Sequence, residues 1–136
     1  MIRVGDVCEI GYNGETYNFV KYHHQVGHPK KSWWTIKLKV ESSLFFDMTK
    51  NKIMSSDKKN GYNLMLINKK AYEIGKDIQK NKLFLAKFKY NNINWHGYPA
   101  NHYIQKDRPE EEVYSKLEYS GIDLSIIRKL KKGQKL

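Results

Sequence analysis

The chain has 136 residues, and its 25 Lys and Arg against 14 Asp and Glu give a net charge of +11 at pH 7. That length suits a single domain, since domains cluster at roughly 100–150 residues. A lone cysteine, Cys8, excludes an intramolecular disulfide and any Cys-X-X-Cys motif. The acidic N-terminal stretch is unlike a signal peptide, and no apolar run approaches the ~18 residues of a membrane span. We therefore expect a cytoplasmic protein without a membrane partner.

The positive charge is concentrated in the middle of the chain. Residues 50–89 hold eleven lysines against three acidic residues, a net of +8, whereas residues 1–49 and 90–136 carry +1 and +2. Clustered cations attract a polyanion, so nucleic acid, either RNA or DNA, is the expected partner. The alternative is a lysine-rich surface that only keeps the protein in solution.

The first third of the chain predicts β-structure. Asn13-Gly14 is a dipeptide favoured where both central turn residues need positive φ, and it predicts a hairpin between CEIGY and ETYNFVKY. The polar stretch HHQVGHPKKS then indicates a loop. WWTIKLKV alternates between apolar and polar residues, which predicts a strand over 33–40 with Lys37 and Lys39 on its outer face.

The middle third predicts a hairpin, a helix and a strand. SLFFDMTKNKIMS indicates a hairpin that turns near Lys50-Asn51. Asn68 is placed to cap a helix that continues to about Gln79. LFLAKFKY, at residues 83–90, predicts a strand whose alternation puts Lys87 and Lys89 on the solvent face. If this strand and the strand at 33–40 share a sheet, their outer face is a basic platform of four lysines: Lys37, Lys39, Lys87 and Lys89.

The end of the chain predicts two helices. Pro109 suits a first helical position, and the acidic residues 110–112 complement a helix N-terminus. Gly121 ends this helix, Asp123 can cap the next one and Gly133 ends it. The whole pattern predicts an α+β fold: a mostly antiparallel sheet with one inserted helix and a C-terminal helix pair. We expect one domain over 1–136, with a β-rich core to residue 105 and the helix pair over 106–136.

The segment EEEVYSKLEYSGIDLSIIRKLKKGQK, about residues 111–135, resembles the second half of a helix-turn-helix of the Xre or lambda-repressor type. The likeness lies in Gly121 at the turn, the capping Asp123, and Ser125, Ile127 and Leu130 at the spacing of the family's buried positions. In that family the second helix lies in the major groove and its exposed side chains contact DNA. The resemblance implies that role for Arg128, Lys129 and Lys132, together with Ser125.

The histidines suggest a second kind of site. NWHGYPANH places His96 and His102 on either side of a Gly-Tyr-Pro sequence, and His23 lies in another histidine-containing loop. An acid/base pair drawn from the two loops could cleave RNA without a metal, with Tyr98 stabilising the charged phosphorane. The alternative, which we favour, is a rigid corner whose imidazoles bond the backbone. No HxH, HExxH or cysteine-containing spacing indicates a metal site, and no cofactor is expected.

Three hypotheses follow for the function. The first is a small basic nucleic-acid-binding protein of a mobile element, phage or toxin–antitoxin system. The second is a toxin-like, metal-independent ribonuclease that uses His96, His102, His23 and Tyr98. The third is an inhibitor that docks on a protein partner through its basic surface.

Overall fold

A computed structural model of the chain describes all 136 residues, and it confirms the predicted α+β class with a C-terminal helix pair. The helices are α1 (Leu38–Asn51), α2 (Glu111–Tyr119) and α3 (Leu124–Lys132). The strands are β1 (Val7–Glu9), β2 (Thr16–Asn18), β3 (Trp33–Trp34), β4 (Asn60–Leu64), β5 (Leu66–Ile67), β6 (Lys70–Ala71), β7 (Gly75–Lys76), β8 (Lys82–Leu83), β9 (Leu85–Tyr90) and β10 (Trp95–Ala100). None of the helices has both the length and the apolar character needed to cross a membrane.

The main sheet has five strands in the order β1-β2-β10-β9-β4. All of its neighbours pair antiparallel except β10 and β2, which run parallel where Trp95 meets Tyr17. Two smaller sheets, β3-β7-β8 and β5-β6, complete the β-structure. The strand at the centre, β10, therefore comes from NWHGYPANH and has neighbours on both sides.

Helix α1 covers one face of this sheet and forms the core with it. Its buried residues recur at helical spacing: Glu41, Leu44, Phe45, Met48 and Thr49. Phe45 is fully buried, with its ring centroid 4.6 Å from that of Tyr17 and 5.5 Å from that of Phe88. Because side chains alternate along a strand, the opposite face of the sheet remains available for polar residues.

The predicted strand over 33–40 and the predicted hairpin near Lys50-Asn51 are wrong. Only Trp33–Trp34 forms a strand, and a single helix runs from Leu38 to Asn51. Apolar and polar residues do alternate after Trp34, but only over a few positions. Packing against the sheet favours a helix instead, and the buried residues of this helix begin with Glu41. That charged residue interrupts the apolar pattern and conceals its helical period.

The predicted helix from Asn68 to Gln79 is also wrong. Asn68 and Lys69 both have positive φ, at 52° and 65°, and they form the two-residue turn of the hairpin β5-β6. This is the conformation required of a type I′ turn, in which asparagine is favoured. The asparagine that suggested a helix cap is therefore a turn residue, and Gly75 begins strand β7.

The N-terminal hairpin is confirmed, although its turn differs from the prediction. Strands β1 and β2 pair from Val7↔Asn18 to Glu9↔Thr16, so residues 10–15 connect them. Gly14 has φ 83°, whereas Asn13 is absent from the positive-φ residues. The Asn13 N–H donates instead to the Glu15 carboxylate at 2.8 Å. Positive φ therefore favours glycine at position 14 of the turn and not at position 13.

The remaining predictions are confirmed in part. Pro109 is not the first helical residue as predicted, because α2 begins at Glu111 with Glu110 at its N-cap. The strand over 83–90 is confirmed as β9 with the short β8 before it, and Gly121 (φ 109°) and Gly133 (φ 64°) end α2 and α3 as expected. Asp123 occupies the N-cap position, but its side chain makes no capping bond. The expected Gly-Tyr-Pro corner is wrong, because Gly97 to Pro99 lie within β10.

Candidate functional site

The face of the main sheet away from α1 carries polar side chains at its centre. Lys89 lies opposite His96 and Lys87 opposite Tyr98 in the β9-β10 register. Directly opposed residues project to the same face, so these four side chains form one patch. The loop at 21–32 and the segment at 101–107 rise beside the patch and leave a cavity of about 610 Å³.

We call this cavity the histidine pocket. Its walls bring together residues from the 21–32 loop, the β7-β8 turn, β9, β10 and the 101–107 segment. Its lining includes three kinds of side chain, namely aromatic and histidine rings, lysines and two carboxylates: Tyr22, His23, His96, Tyr98, Lys30, Lys31, Lys89, Lys106, Asp77 and Asp107. One wall is fastened to the sheet, because the Ser32 hydroxyl donates to the Pro99 carbonyl at 2.8 Å.

His23 is held in a defined protonation form. Only 6% of the residue is exposed, and Nδ1 lies 2.9 Å from the Ser32 carbonyl oxygen. A carbonyl only accepts, so Nδ1 carries the proton and Nε2 is the acceptor nitrogen. The ring stacks on Tyr98, with centroids 5.1 Å apart and planes at 17°. Burial, aided by the charges of His96 and Lys31, lowers the pKa of His23 to about 4. At neutral pH His23 is therefore a neutral ring whose Nε2 can accept a hydrogen bond.

His96 differs from His23 in having no fixed partner. It is half-buried, and its pKa is lowered first by burial and then by the charge of Lys89, with no hydrogen bond contributing. A neutral imidazole next to an ammonium group favours an anionic ligand, which would stabilise the protonated ring. His96 is thus free to interact with whatever enters the pocket.

Tyr98 contributes a hydroxyl donor. Burial, and then the charge of Asp107, raise the Tyr98 pKa well above its ordinary value, so the hydroxyl stays protonated over the physiological range. Its neighbour Lys87 is only 7% exposed and points its Nζ to the Lys106 carbonyl oxygen at 3.5 Å. Burial lowers the Lys87 pKa, and Asp107 opposes that effect.

The predicted platform of four lysines does not form. Lys37 is the residue before α1 and Lys39 lies in its first turn, on neither β9 nor a strand beside it. Lys87 lies on the expected face, but the 101–107 segment covers it. Only Lys89 remains both exposed and directed to the pocket.

The pocket nevertheless has an excess of positive charge. Four exposed lysines line it: Lys30, Lys31, Lys89 and Lys106. The two acidic residues are occupied by local hydrogen bonds. The Asp77 carboxylate accepts the N–H groups of Gln79 and Asn81 at 2.9 and 2.8 Å, and Asp107 accepts that of Asn101 at 3.0 Å. With four lysines against two carboxylates, the pocket favours an anion, which the lysine ammonium groups would bind.

The other histidines have structural roles. His102, placed with His96 in the predicted acid/base pair, is fully buried and does not line the pocket. Its Nε2 lies 2.6 Å from the Gln134 carbonyl oxygen, which connects the 101–107 segment to the C-terminus. His28 Nδ1 accepts the N–H groups of Lys30 and Lys31, each at 3.0 Å. The expectation of a backbone-bonded imidazole thus describes His102, whereas His96 belongs to the pocket.

The basic residues of the C-terminal helix lie elsewhere. Arg128, Lys129 and Lys132 are exposed on α3, while Ile127 and Leu130 are buried against the core. None of the three basic residues lines the histidine pocket. They form a separate surface, which we call the α3 face.

Sequence reasoning missed the lysines that border the pocket. Lys30 and Lys31 lie within the first histidine loop, just after His28, and Lys106 follows NWHGYPANH by four residues. Positive charges in or just after the two histidine segments were the available signal, and the larger excess at 50–89 obscured it. The structure contains no group of three or more His, Cys, Asp or Glu side chains that could hold a metal ion.

Comparisons with known proteins give no further guidance to the site. No protein-family model, curated protein or solved structure matches the chain.

Proposed function

We propose that the chain binds single-stranded nucleic acid in the histidine pocket. The observation that carries this proposal is the convergence of Lys30, Lys31, Lys89 and Lys106 on a cavity that also contains His23 and His96. Lysine ammonium groups supply most of the affinity of proteins for the phosphate backbone. The overall charge of +11 adds a longer-range attraction for the same polymer.

The shape of the pocket favours an unpaired strand over a duplex. A cavity of about 610 Å³ falls in the range of small-ligand sites, so it can admit an unstacked nucleotide. Tyr22 is 41% exposed at the edge, with its ring centroid 4.7 Å from that of His23 and the Lys31 Nζ 5.7 Å from it. Exposed aromatic rings beside cations bind unpaired bases by stacking.

Replacing Lys31, Lys89 and Lys106 together by Gln is expected to weaken binding of a single-stranded oligonucleotide. Each phosphate contact on a single strand contributes about 0.7 to the slope of log K against log salt, so the slope should flatten by about two. Fluorescence anisotropy at several salt concentrations measures this slope. A matched control changes the same number of exposed lysines outside the pocket: Lys37, Lys39 and Lys52 to Gln.

The control should keep most of the affinity and slope of the wild type. Equal losses in the two triple variants would show that charge acts diffusely rather than through the pocket. A wild-type protein with no salt-dependent binding would contradict the proposal and favour a surface that serves solubility or a protein partner.

A second candidate function is cleavage of the bound RNA. One histidine from each histidine cluster, His23 and His96, lines the same pocket with Tyr98. His23 Nε2 would take the proton of a 2′-hydroxyl, whose oxygen attacks the adjacent phosphorus. His96, protonated beside the phosphate, would give its proton to the departing 5′-oxygen. The Tyr98 hydroxyl and Lys89 would stabilise the phosphorane charge. The products are a 2′,3′-cyclic phosphate and a 5′-hydroxyl.

The cleavage hypothesis predicts that His23→Gln and His96→Gln each lower the RNA cleavage rate by about a hundredfold or more. Binding should change by only a few-fold, and DNA should bind without being cut because it lacks the 2′-hydroxyl. His102→Gln is the control, since this third histidine lies outside the pocket. Gel analysis of labelled RNA in EDTA is the measurement. Wild-type protein that binds RNA but leaves it intact would restrict the function to binding.

A further inference from the structure

A buried carboxylate lies behind the pocket, on the α1 side of the sheet. Glu41 on α1 is 0% exposed and accepts hydrogen bonds from two side chains. The Tyr17 hydroxyl donates to Oε2, and His24 Nε2 lies 2.7 Å from Oε1. Burying a charged side chain away from water costs free energy unless its neighbours form hydrogen bonds with it. A carboxylate at this core position therefore indicates a role beyond packing.

The first arm of this network leads to His23. His24 is the next residue, and its Nδ1 faces the Val20 carbonyl oxygen while its Nε2 faces Glu41. Since both nitrogens contact oxygen acceptors, both carry protons and the ring is an imidazolium paired with the carboxylate. Burial alone would lower the His24 pKa, but the bond and charge of Glu41 and the bond to Val20 outweigh it and raise the pKa. The backbone at His23 is thereby fixed to α1.

The second arm leads to His96. Tyr17 on β2 is 0% exposed, and its hydroxyl lies against Gly97 of β10, where an added Cβ would come within 2.6 Å of the oxygen. Gly97 lies between His96 and Tyr98 in the strand that supplies both to the pocket. The same carboxylate is thus linked to the chain next to each pocket histidine.

We propose that Glu41, with Tyr17 and His24, is a positioning residue that fixes His23 and His96 relative to each other. An apolar group at position 41 would fill the space at a lower desolvation cost, but it would leave the two arms unconnected. What the pocket binds rests on the proposed function, whereas the positioning is a property of the free protein. The two can therefore be tested separately.

The test follows the histidine ring signals by NMR across a pH titration of the ligand-free protein. Tyr17→Phe removes one hydroxyl and should shift the signals of His96 most, and His24→Gln should shift those of His23 most. Glu41→Gln should shift both. The control is Tyr114→Phe, which removes the hydroxyl of another buried tyrosine, on α2 and outside the pocket lining, and should leave both rings as in the wild type.

A second readout is the affinity for a single-stranded RNA oligonucleotide. Misplacing groups in a preorganised site by a fraction of an ångström reduces its performance, so we expect Glu41→Gln to weaken binding by a few-fold, as replacing either histidine does, while the control variant leaves it unchanged. If the wild type binds no RNA while the ring signals shift as stated, the positioning holds and the proposed function fails.

Unchanged His23 and His96 signals in Tyr17→Phe and His24→Gln would overturn the positioning role, even if both variants were less stable. Should Glu41→Gln fail to fold, these two single-arm variants decide the matter.

Discussion

Replacing Gly97 by alanine is expected to lower the free energy of unfolding by about 2–3 kcal/mol, the cost of forcing extra volume into a packed core. A Cβ at this position would lie 2.5 Å from Cδ1 of Phe88 and 2.6 Å from the Tyr17 hydroxyl oxygen. Both rings are fully buried and pack on Phe45, so neither can move aside without disturbing the other. Urea denaturation at pH 7 measures the loss.

Gly61→Ala is the matched control for this substitution. Gly61 on β4 and Gly97 on β10 both pair with Phe88 on β9, one from each side. A Cβ at Gly61 would meet the end of the Met48 side chain, with Sδ at 2.4 Å and Cε at 2.7 Å. Because methionine has several rotatable bonds and adapts to irregular spaces, we expect a cost of about 1 kcal/mol. Equal losses in the free energy of unfolding for the two substitutions would show that the aromatic rings move aside as easily as the Met48 side chain.

Acidification from pH 6.5 to pH 4 is expected to remove about 3 kcal/mol of stability through His23 alone. The pKa of its ring falls from 6.5 to about 4 in the folded protein, because burial penalises the charged form. As the pH falls, the unfolded chain therefore binds a proton before the folded protein does. The contribution of His23 is fully present above pH 6.5 and is lost progressively down to about pH 4.

His23→Gln tests this dependence. Glutamine does not titrate, so the variant should lose less stability than the wild type between pH 6.5 and pH 4, by about 3 kcal/mol. Denaturant titrations at several pH values provide the comparison. Parallel stability curves for the two proteins would mean that His23 is accessible to water and protonates freely in the folded state.

The sequence allowed some elements to be predicted because their signals are local. The alternation in LFLAKFKY and the glycines that end α2 and α3 act within a few residues, and the structure follows them. Helix α1 was missed because Glu41, the residue at the start of its buried stripe, is charged. The hydrogen bonds from His24 and Tyr17 allow this carboxylate to be buried, and they join residues that are 17 and 24 positions apart in the chain. A local sequence pattern does not contain contacts over such distances.

The candidate site was predicted only in part: the sequence indicated His23, His96, Tyr98 and Lys89, but neither the other lysines of the pocket nor the way the residues come together. His23, His96 and Tyr98 were chosen because of their chemistry, and strand alternation places His96 and Tyr98 on one face of β10. His102 comes from the same motif but lies beyond the end of that strand, so its direction could not be inferred. The position of His23 over Tyr98 depends on how the 21–32 loop folds back on the sheet, which no local pattern specifies.

The lysine platform failed for a related reason. Alternation correctly placed Lys87 and Lys89 on the same face of β9. It could not show that the 101–107 segment covers Lys87 while leaving Lys89 open. Burial of a strand face depends on segments distant in the chain, so period alone does not identify a solvent-exposed surface.

The central claim, that the histidine pocket binds single-stranded nucleic acid, is tested most directly by mapping where a short single-stranded RNA contacts the protein. Backbone amide and histidine ring signals are followed by NMR during a titration at low salt. We predict that the largest changes occur at Lys89, His96 and Tyr98, followed by Lys31 and Lys106, with the α3 face unaffected. Changes confined to Arg128, Lys129 and Lys132 would contradict the claim and favour the helix-turn-helix resemblance, and the absence of any change would end the nucleic-acid proposal.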